Sequence, residues 1–147
     1  MGTYNGGEGN DTIKGTNNND VINGRAGNDS LQGLNGADLI ITGSGNDTVD
    51  AGDGDDLVVC GTLTSGNSGG LNYAVPKEIL KVNLGAGDDF IALHSTLLDG
   101  SYIFGGLGID TINLGESSGI RTEQEIKKIT GFENWILTGN IGVQIGA

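Results

Sequence analysis

From residue 6 the chain places an aliphatic residue at every ninth position: Ile13, Ile22, Leu31, Ile40, Val49 and Val58. Cut into blocks of nine, residues 6–59 read GGEGNDTIK, GTNNNDVIN, GRAGNDSLQ, GLNGADLII, TGSGNDTVD and AGDGDDLVV, with no insertion to break the register. A period of nine matches neither the 3.6-residue repeat of an amphipathic helix nor a long alternating strand. It marks a repeat architecture, in which each unit buries its face only against its neighbours. The last three residues of a block point outward, inward and outward, as a short strand does, so position eight forms a core stripe. The first six form a loop. Glycine at position four (Gly9, Gly27, Gly36, Gly45 and Gly54) permits the positive φ of a tight turn, and the exception, Asn18, is the next most tolerant residue. Two blocks make one rung of a flattened coil. The predicted fold is all-β, a right-handed parallel β-roll or β-solenoid whose loops stack at roughly 4.8 Å.

After Val59 the pattern lapses and then returns in LGAGDDFIA (84–92) and GGLGIDTIN (105–113), with Gly87 and Gly108 at position four and Ile91 and Ile112 at position eight. The chain therefore divides as one domain, 1–147: six consecutive repeats over 6–59, an insertion loop and strand over 60–83, two further repeats over 84–113, and a helix with a capping segment over 114–147. The Gly, Ser and Asn content between Cys60 and Pro76 reads as a long loop, with Tyr73 its one candidate ligand-binding side chain. Glu78 to Leu84 reads as a strand, and His94 to Gly100 as an ordinary turn in place of a repeat loop. Thr122-Glu123-Gln124-Glu125 is a capping-box pattern, with Ile126 and Ile129 on one helix face and Gly131 just beyond the end. No amino-terminal cap precedes residue 6, which is expected of a segment cut from a longer chain.

Composition argues against an ordinary globule: 35% of residues are hydrophobic, 5% are aromatic and 29 are Gly, so something besides apolar burial must hold the chain together. The 19 acidic residues against 7 basic ones give a net charge of −12, the wrong sign for nucleic acid or an anionic membrane surface. There is no apolar run long enough for a membrane span, and Met1-Gly2-Thr3-Tyr4 lacks the regions of a signal peptide. The lone cysteine, Cys60, is expected to be a small apolar residue ending a strand. One histidine, His94, is too little for a zinc site, and no nucleophile and base are argued together by spacing, so the chain is not expected to be an enzyme.

The spacing of the acids changes the reading of that charge. Position six is Asp in all six blocks (Asp11, Asp20, Asp29, Asp38, Asp47, Asp56) and again at Asp89 and Asp110 in the later copies. Stacking brings each carboxylate beside the carbonyls of an adjacent loop, which are aimed by glycines at position one (Gly6, Gly24, Gly33), at position two (Gly43, Gly52, Gly85, Gly106) and at position four. An all-oxygen set of many ligands is what Ca²⁺ prefers. The candidate pairs are Asp11 with Asp29, Asp29 with Asp47, Asp20 with Asp38, Asp38 with Asp56, Asp56 with Asp89, and Asp89 with Asp110. That stacking predicts about six ions. Thr42, Ala51 and Leu84 depart from glycine at position one, and Thr16, Arg25 and Leu34 at position two, changes that keep the carbonyls. Asp53, Asp55 and Asp88 are expected to add negative field rather than a direct bond.

These blocks resemble the GGxGxDxUx nonapeptides of the repeats-in-toxin (RTX) family. The resemblance implies a parallel β-roll, calcium held between stacked loops, and export through a type I secretion channel to the cell surface or beyond. The segment ITGFENWILTG resembles an apolar stretch found after such arrays in large secreted members, where Trp135 would belong to a capping core. The function so implied is a module that folds on calcium outside the cell. The alternative is an adhesive, polysaccharide-binding or self-assembling element of a larger surface protein, with flanking domains as partners. A last expectation concerns the two sheets. Odd blocks turn polar residues outward, while even blocks turn out Val21, Leu39, Ile41, Leu57, Val59 and Phe90, a patch that Ile126, Ile129, Phe132 and Trp135 are expected to fold back over.

Overall fold

The computed structural model describes residues 1–61, 77–93, 96–97, 100–114 and 129–137. Strands of three residues cannot stand alone, and here each is held by the equivalent strand one rung away. The seven-stranded sheet runs, in spatial order, β1 (Thr3–Asn5), β3 (Val21–Asn23), β5 (Leu39–Ile41), β7 (Leu57–Cys60), β10 (Phe90–Leu93), β13 (Thr111–Leu114) and β15 (Asn134–Leu137). The six-stranded sheet runs β2 (Thr12–Lys14), β4 (Ser30–Asn35), β6 (Thr48–Asp53), β9 (Lys81–Ala86), β12 (Tyr102–Leu107) and β14 (Ile129–Thr130). A short third ladder joins β8 (Lys77–Glu78) to β11 (Thr96–Leu97). All strand pairings are parallel, and the chain alternates between the two large sheets, so the described residues form an all-β parallel solenoid.

The register places like positions of successive blocks on one another. Ile22 pairs with Ile40, Ile40 with Val58, Val58 with Ile91, and Ile91 with Ile112, while Leu31, Val49, Val82 and Ile103 make the facing row. These position-eight side chains are buried and form one core. Position one supplies a second inward row, because in-and-out alternation continues past the strand's third residue: Thr42, Ala51, Cys60, Leu84, Leu93 and Leu114 are all buried. Cys60 ends β7, as expected, and burial pushes its thiol pKa up.

Several expectations need correction. Strands β4, β6, β9 and β12 run six residues rather than three, since lateral pairing carries on through position three, as in the bonds from Gly36 N to Asp53 O (2.8 Å) and Gly54 N to Ala86 O (2.6 Å). An amino-terminal rung does precede the array: β1 pairs with β3, and Tyr4 packs on the core in register with Ile22. The strand read over 78–84 is interrupted at Ile79 and Leu80, and part of the stretch read as a turn over 94–100 is β11.

The carboxy-terminal helix expected from Thr122 to just before Gly131 falls, over 122–128, outside the described residues. Ile129, assigned to its apolar face, is a strand residue paired with Ile103. Nor do Ile129, Phe132 and Trp135 drape over the outer face. β14 and β15 add a further rung, because the open N–H and C=O groups of β12 and β13 are better satisfied by ladder pairing than by side-chain cover. Ile129 is 4% exposed as a result. Trp135, in register with Ile112, is 40% exposed and meets Phe132 edge-on, with ring centroids 6.3 Å apart. Odd and even blocks fall on opposite sheets as expected, and of Val21, Leu39, Ile41, Leu57, Val59 and Phe90 only Leu57 is exposed, at 39%.

Candidate metal centres

The loops fall on two edges of the coil. Loops of even blocks return the chain from the six-stranded to the seven-stranded sheet, and loops of odd blocks run the other way. On the even edge each position-six backbone N–H donates to the carboxylate of the next rung. The bonds run from Gly2 N to Asp20 Oδ1 (2.5 Å), Asp20 N to Asp38 (2.7 Å), Asp38 N to Asp56 (2.8 Å), Asp56 N to Asp89 (2.7 Å) and Asp89 N to Asp110 (3.0 Å). The odd edge begins alike, with Asp11 N to Asp29 and Asp29 N to Asp47, both 2.9 Å. All six carboxylate pairs expected from the sequence are thus stacked neighbours, including Asp20 with Asp38 despite Asn18 and Ala37.

Asp11 alone has no rung before it to donate; in each acceptor carboxylate one oxygen, Oδ1, is committed to the ladder. The other is not. Among the described residues, Oδ2 of Asp29, Asp38, Asp47, Asp56, Asp89 and Asp110 is buried without a hydrogen-bond partner. A buried carboxylate oxygen left so is costly unless a proton or cation meets it. Asp11 and Asp20 differ: their Oδ2 atoms accept from Gly7 N (2.6 Å) and from Thr16 N and Oγ1 (2.6 and 2.7 Å).

Where Oδ2 points is read from the glycines at position one. A Cβ added to Gly24 would lie 2.5 Å from both Asp29 Oδ2 and the carbonyl oxygen of Thr42, one rung on. At Gly6 it would meet Asp11 Oδ2 and Gly24 O, and at Gly33 it would meet Asp38 Oδ2 and Ala51 O. Carboxylate and carbonyl oxygens therefore converge on a space that glycine leaves open. Among the described residues no three acidic, His or Cys side chains come together, so the further oxygens of a site would come from backbone carbonyls, amide or hydroxyl side chains, or water. Hard oxygen donors with no nitrogen or sulfur fit Ca²⁺.

The other glycines serve the stacking. At position four, Gly54 has φ +130°, and a Cβ there would collide with the Gly36 carbonyl carbon at 2.6 Å. Gly27, Gly36, Gly45, Gly87 and Gly108 share the left-handed conformation, whereas Gly9, with no loop beneath it, does not adopt the positive φ expected of it. Position two proves to be a second left-handed site. Gly43, Gly52, Gly85 and Gly106 all have positive φ there, and so do Arg25 (75°) and Leu34 (89°), which lack glycine's freedom.

Burial drives the electrostatics of the ladder. It raises the Asp56 carboxyl to about 7, with repulsion from Asp89 and Asp38 adding to the effect. Asp47 and Asp89 are pushed up to about 6 chiefly by the same cause, joined by Asp29 and Glu78 for the first and by Asp110 for the second. Asp38 and Asp110 also rise through burial. Asp20 is lowered instead, above all by the Thr16 hydroxyl.

The odd edge changes character after Asp47. Leu80 and then Ser101 stand at position six, both buried, and Leu80 N donates to Ser101 Oγ at 3.1 Å. An acid reappears two residues before Leu80: Glu78 is 4% exposed, and its Oε1 accepts from Gly45 N at 3.1 Å.

A second ladder escaped the sequence reading. Position five accepts the backbone N–H of the next rung, through Asn10 from Asn28 N (2.8 Å), Asn28 from Asn46 N (2.9 Å), Asp55 from Asp88 N (2.9 Å) and Asp88 from Ile109 N (2.8 Å). The signal was available, because position five is Asn or Asp in all but Ala37 and Ile109 among the eight copies. Asp55 and Asp88 are thus held by the fold as well as adding charge.

A solenoid whose edges carry stacked carboxylates and nearby carbonyls fits a calcium-binding roll. Residues 5–40 and 24–58 match the family model for the RTX calcium-binding nonapeptide repeat, four copies, so this stretch of the chain carries RTX-type repeats. The searches of curated proteins and of solved structures returned no match.

Proposed function

We propose that this chain is a calcium-dependent folding module, with about six ions held between successive loops. Their ligands would be the carboxylates of Asp11, Asp20, Asp29, Asp38, Asp47, Asp56, Asp89 and Asp110, with loop carbonyls completing each site. The observation that carries this reading is the row of buried Oδ2 atoms without hydrogen-bond partners. Two like charges one strand spacing apart repel by about 3 kcal/mol at an effective dielectric constant of 20, so a stacked row resists closure. Bound Ca²⁺ would supply the positive charge that offsets this repulsion. An ion at ten times its dissociation constant contributes about 1.4 kcal/mol by linkage, and about six would contribute roughly 8 kcal/mol, comparable with the stability of a whole domain.

Sites of this kind in extracellular modules bind at about 10⁻⁴ to 10⁻³ M. They would be empty in the cytosol and filled outside the cell, leaving the chain open for passage through a type I secretion channel and folded after it. Far-ultraviolet circular dichroism in millimolar Ca²⁺ and in EGTA tests the proposal. Calcium should produce the β signal and chelation should abolish it; a roll fully folded in EGTA overturns the reading.

A further inference from the structure

The acid ladder of the even edge does not end with the last nonapeptide. Asp110 N donates to Glu133 Oε2 at 2.9 Å, the bond that every earlier rung of this edge makes to an Asp. The return donors are in place too, since Glu133 N and Asn134 N reach Asp110 O at 3.2 and 3.0 Å. Phe104 pairs with Thr130 and Thr111 with Asn134, so Gly131, Phe132 and Glu133 stand opposite the whole six-residue loop 105–110. Three residues close the edge where six did before. The extra methylene of Glu lets its carboxylate span what the shorter turn leaves.

The space beside Asp110 repeats that of the array. A Cβ added to Gly105 would lie 2.7 Å from Asp110 Oδ2 and would also meet the carbonyl oxygen of Gly131. This is the convergence found at Gly6, Gly24 and Gly33, with Gly131 supplying the next-rung carbonyl from outside any nonapeptide. Asp110 is 0% exposed, and its Oδ2 is among the buried oxygens without a hydrogen-bond partner. Glu133 brings a second carboxylate to this rung, while its side chain stays open to solvent.

We infer that the Asp110 loop and the Gly131–Glu133 turn hold one more Ca²⁺, bound by Asp110 Oδ2, Gly131 O and the Glu133 carboxylate. This rests on the calcium reading of the array and adds a site that the repeat motif does not mark. The simpler role for Glu133, capping the Asp110 N–H, needs only an acceptor oxygen. Glu133→Gln keeps that oxygen and removes the charge, so it separates the two.

Native mass spectrometry of the folded chain, titrated with Ca²⁺, counts the ions. Glu133→Gln should carry one ion fewer than the wild type, and Glu8→Gln, which removes a charge from an exposed position of the first loop, should carry the full number. An unchanged count and titration in Glu133→Gln overturns the extra site while leaving the array intact. A wild type that takes up no calcium overturns both readings. Trp135 is the only tryptophan and lies two residues from Glu133, so Tb³⁺ gives a second readout on the unmutated chain. Tryptophan-sensitised terbium emission should appear in the wild type and fall several-fold in Glu133→Gln; its absence in the wild type counts against the site.

Discussion

The two edges of the coil start from the same nonapeptide and end differently. On the even edge an acidic ladder runs unbroken from Asp20 through Asp38, Asp56, Asp89 and Asp110 to Glu133. On the odd edge it stops at Asp47, and Leu80 and Ser101 take the following rungs. The three long interruptions of the repeat belong to the odd edge: the segments between β7 and β9, β10 and β12, and β13 and β14 each lead from the seven-stranded to the six-stranded sheet. Insertion and acid loss go together. A buried carboxylate without a partner is costly, so an apolar or hydroxyl side chain costs less at position six of those odd-edge rungs, whereas the three-residue turn of the even edge keeps an acid in the exposed Glu133.

The sharpest way to break this comparison is to remove single carboxylates from both edges. Asp38→Ala takes a ligand from two candidate sites and leaves the buried Asp20 N–H without its acceptor, an omission worth about 1–3 kcal/mol by itself. Its calcium midpoint for folding should rise on the order of tenfold or more, since each tenfold corresponds to about 1.4 kcal/mol. Asp11→Ala, at the open start of the shorter ladder, should shift the midpoint least. Asp110→Ala should behave like Asp38→Ala, because Glu133 makes Asp110 an interior rung rather than an end. Equal midpoints for all three variants would sink the stacked-ladder account.

An intermediate effect is expected from pH. Asp47, Asp56 and Asp89 bind their protons more tightly in the folded coil, at about 6, 7 and 6, than at the ordinary value of 3.8. Between those limits the folded state holds more protons than the unfolded one, so calcium-free stability should fall as pH rises from about 4 to about 7. Calcium competes for the same oxygens, so its apparent affinity should rise over that window. Calcium titrations and far-ultraviolet circular dichroism in EGTA across that window check both signs: any β signal left without calcium near pH 4 should fade toward pH 7, and a calcium-free chain that gains β signal as pH rises would refute the burial of these acids.

The smallest effect concerns the backbone. Leu34, at position two of an even-edge loop, sits at φ 89°, where L side chains are strained by roughly 1–2 kcal/mol. Leu34→Gly should therefore lose little or gain up to about 1 kcal/mol, because strain relief opposes the added freedom of the unfolded chain. Gly52→Leu, the reverse change one rung on, would press a Cβ into the Leu34 carbonyl and should destabilise in thermal melts. A stabilised Gly52→Leu would show that the loops have room the geometry denies them.

How much of this was legible beforehand differs by position. The aliphatic at position eight and the Asp at position six recur without exception over 6–59, and their rows and pairings stand in the structure as the period implies. The inward row at position one was less visible, because Gly6, Gly24 and Gly33 show no side chain to betray which way it faces. Glu133 was invisible to the repeat: its turn has three residues where the motif has six, and its acid is Glu rather than Asp.

The sequence by itself determined the unit. Turn, strand and carboxylate are local properties of nine residues, dictated by glycine's freedom, in-and-out alternation and the chemistry of Asp, so they survive reading in one dimension. Only the tertiary structure decided which rungs are neighbours once insertions separate them. Asp56 bonds to Asp89 across 33 residues, and Asp110 to Glu133 across 23. Those partners are chosen by which sheet each strand joins and which N–H is left open at its end. Neither is written in the spacing, because lateral pairing and burial belong to the stack and not to any single repeat.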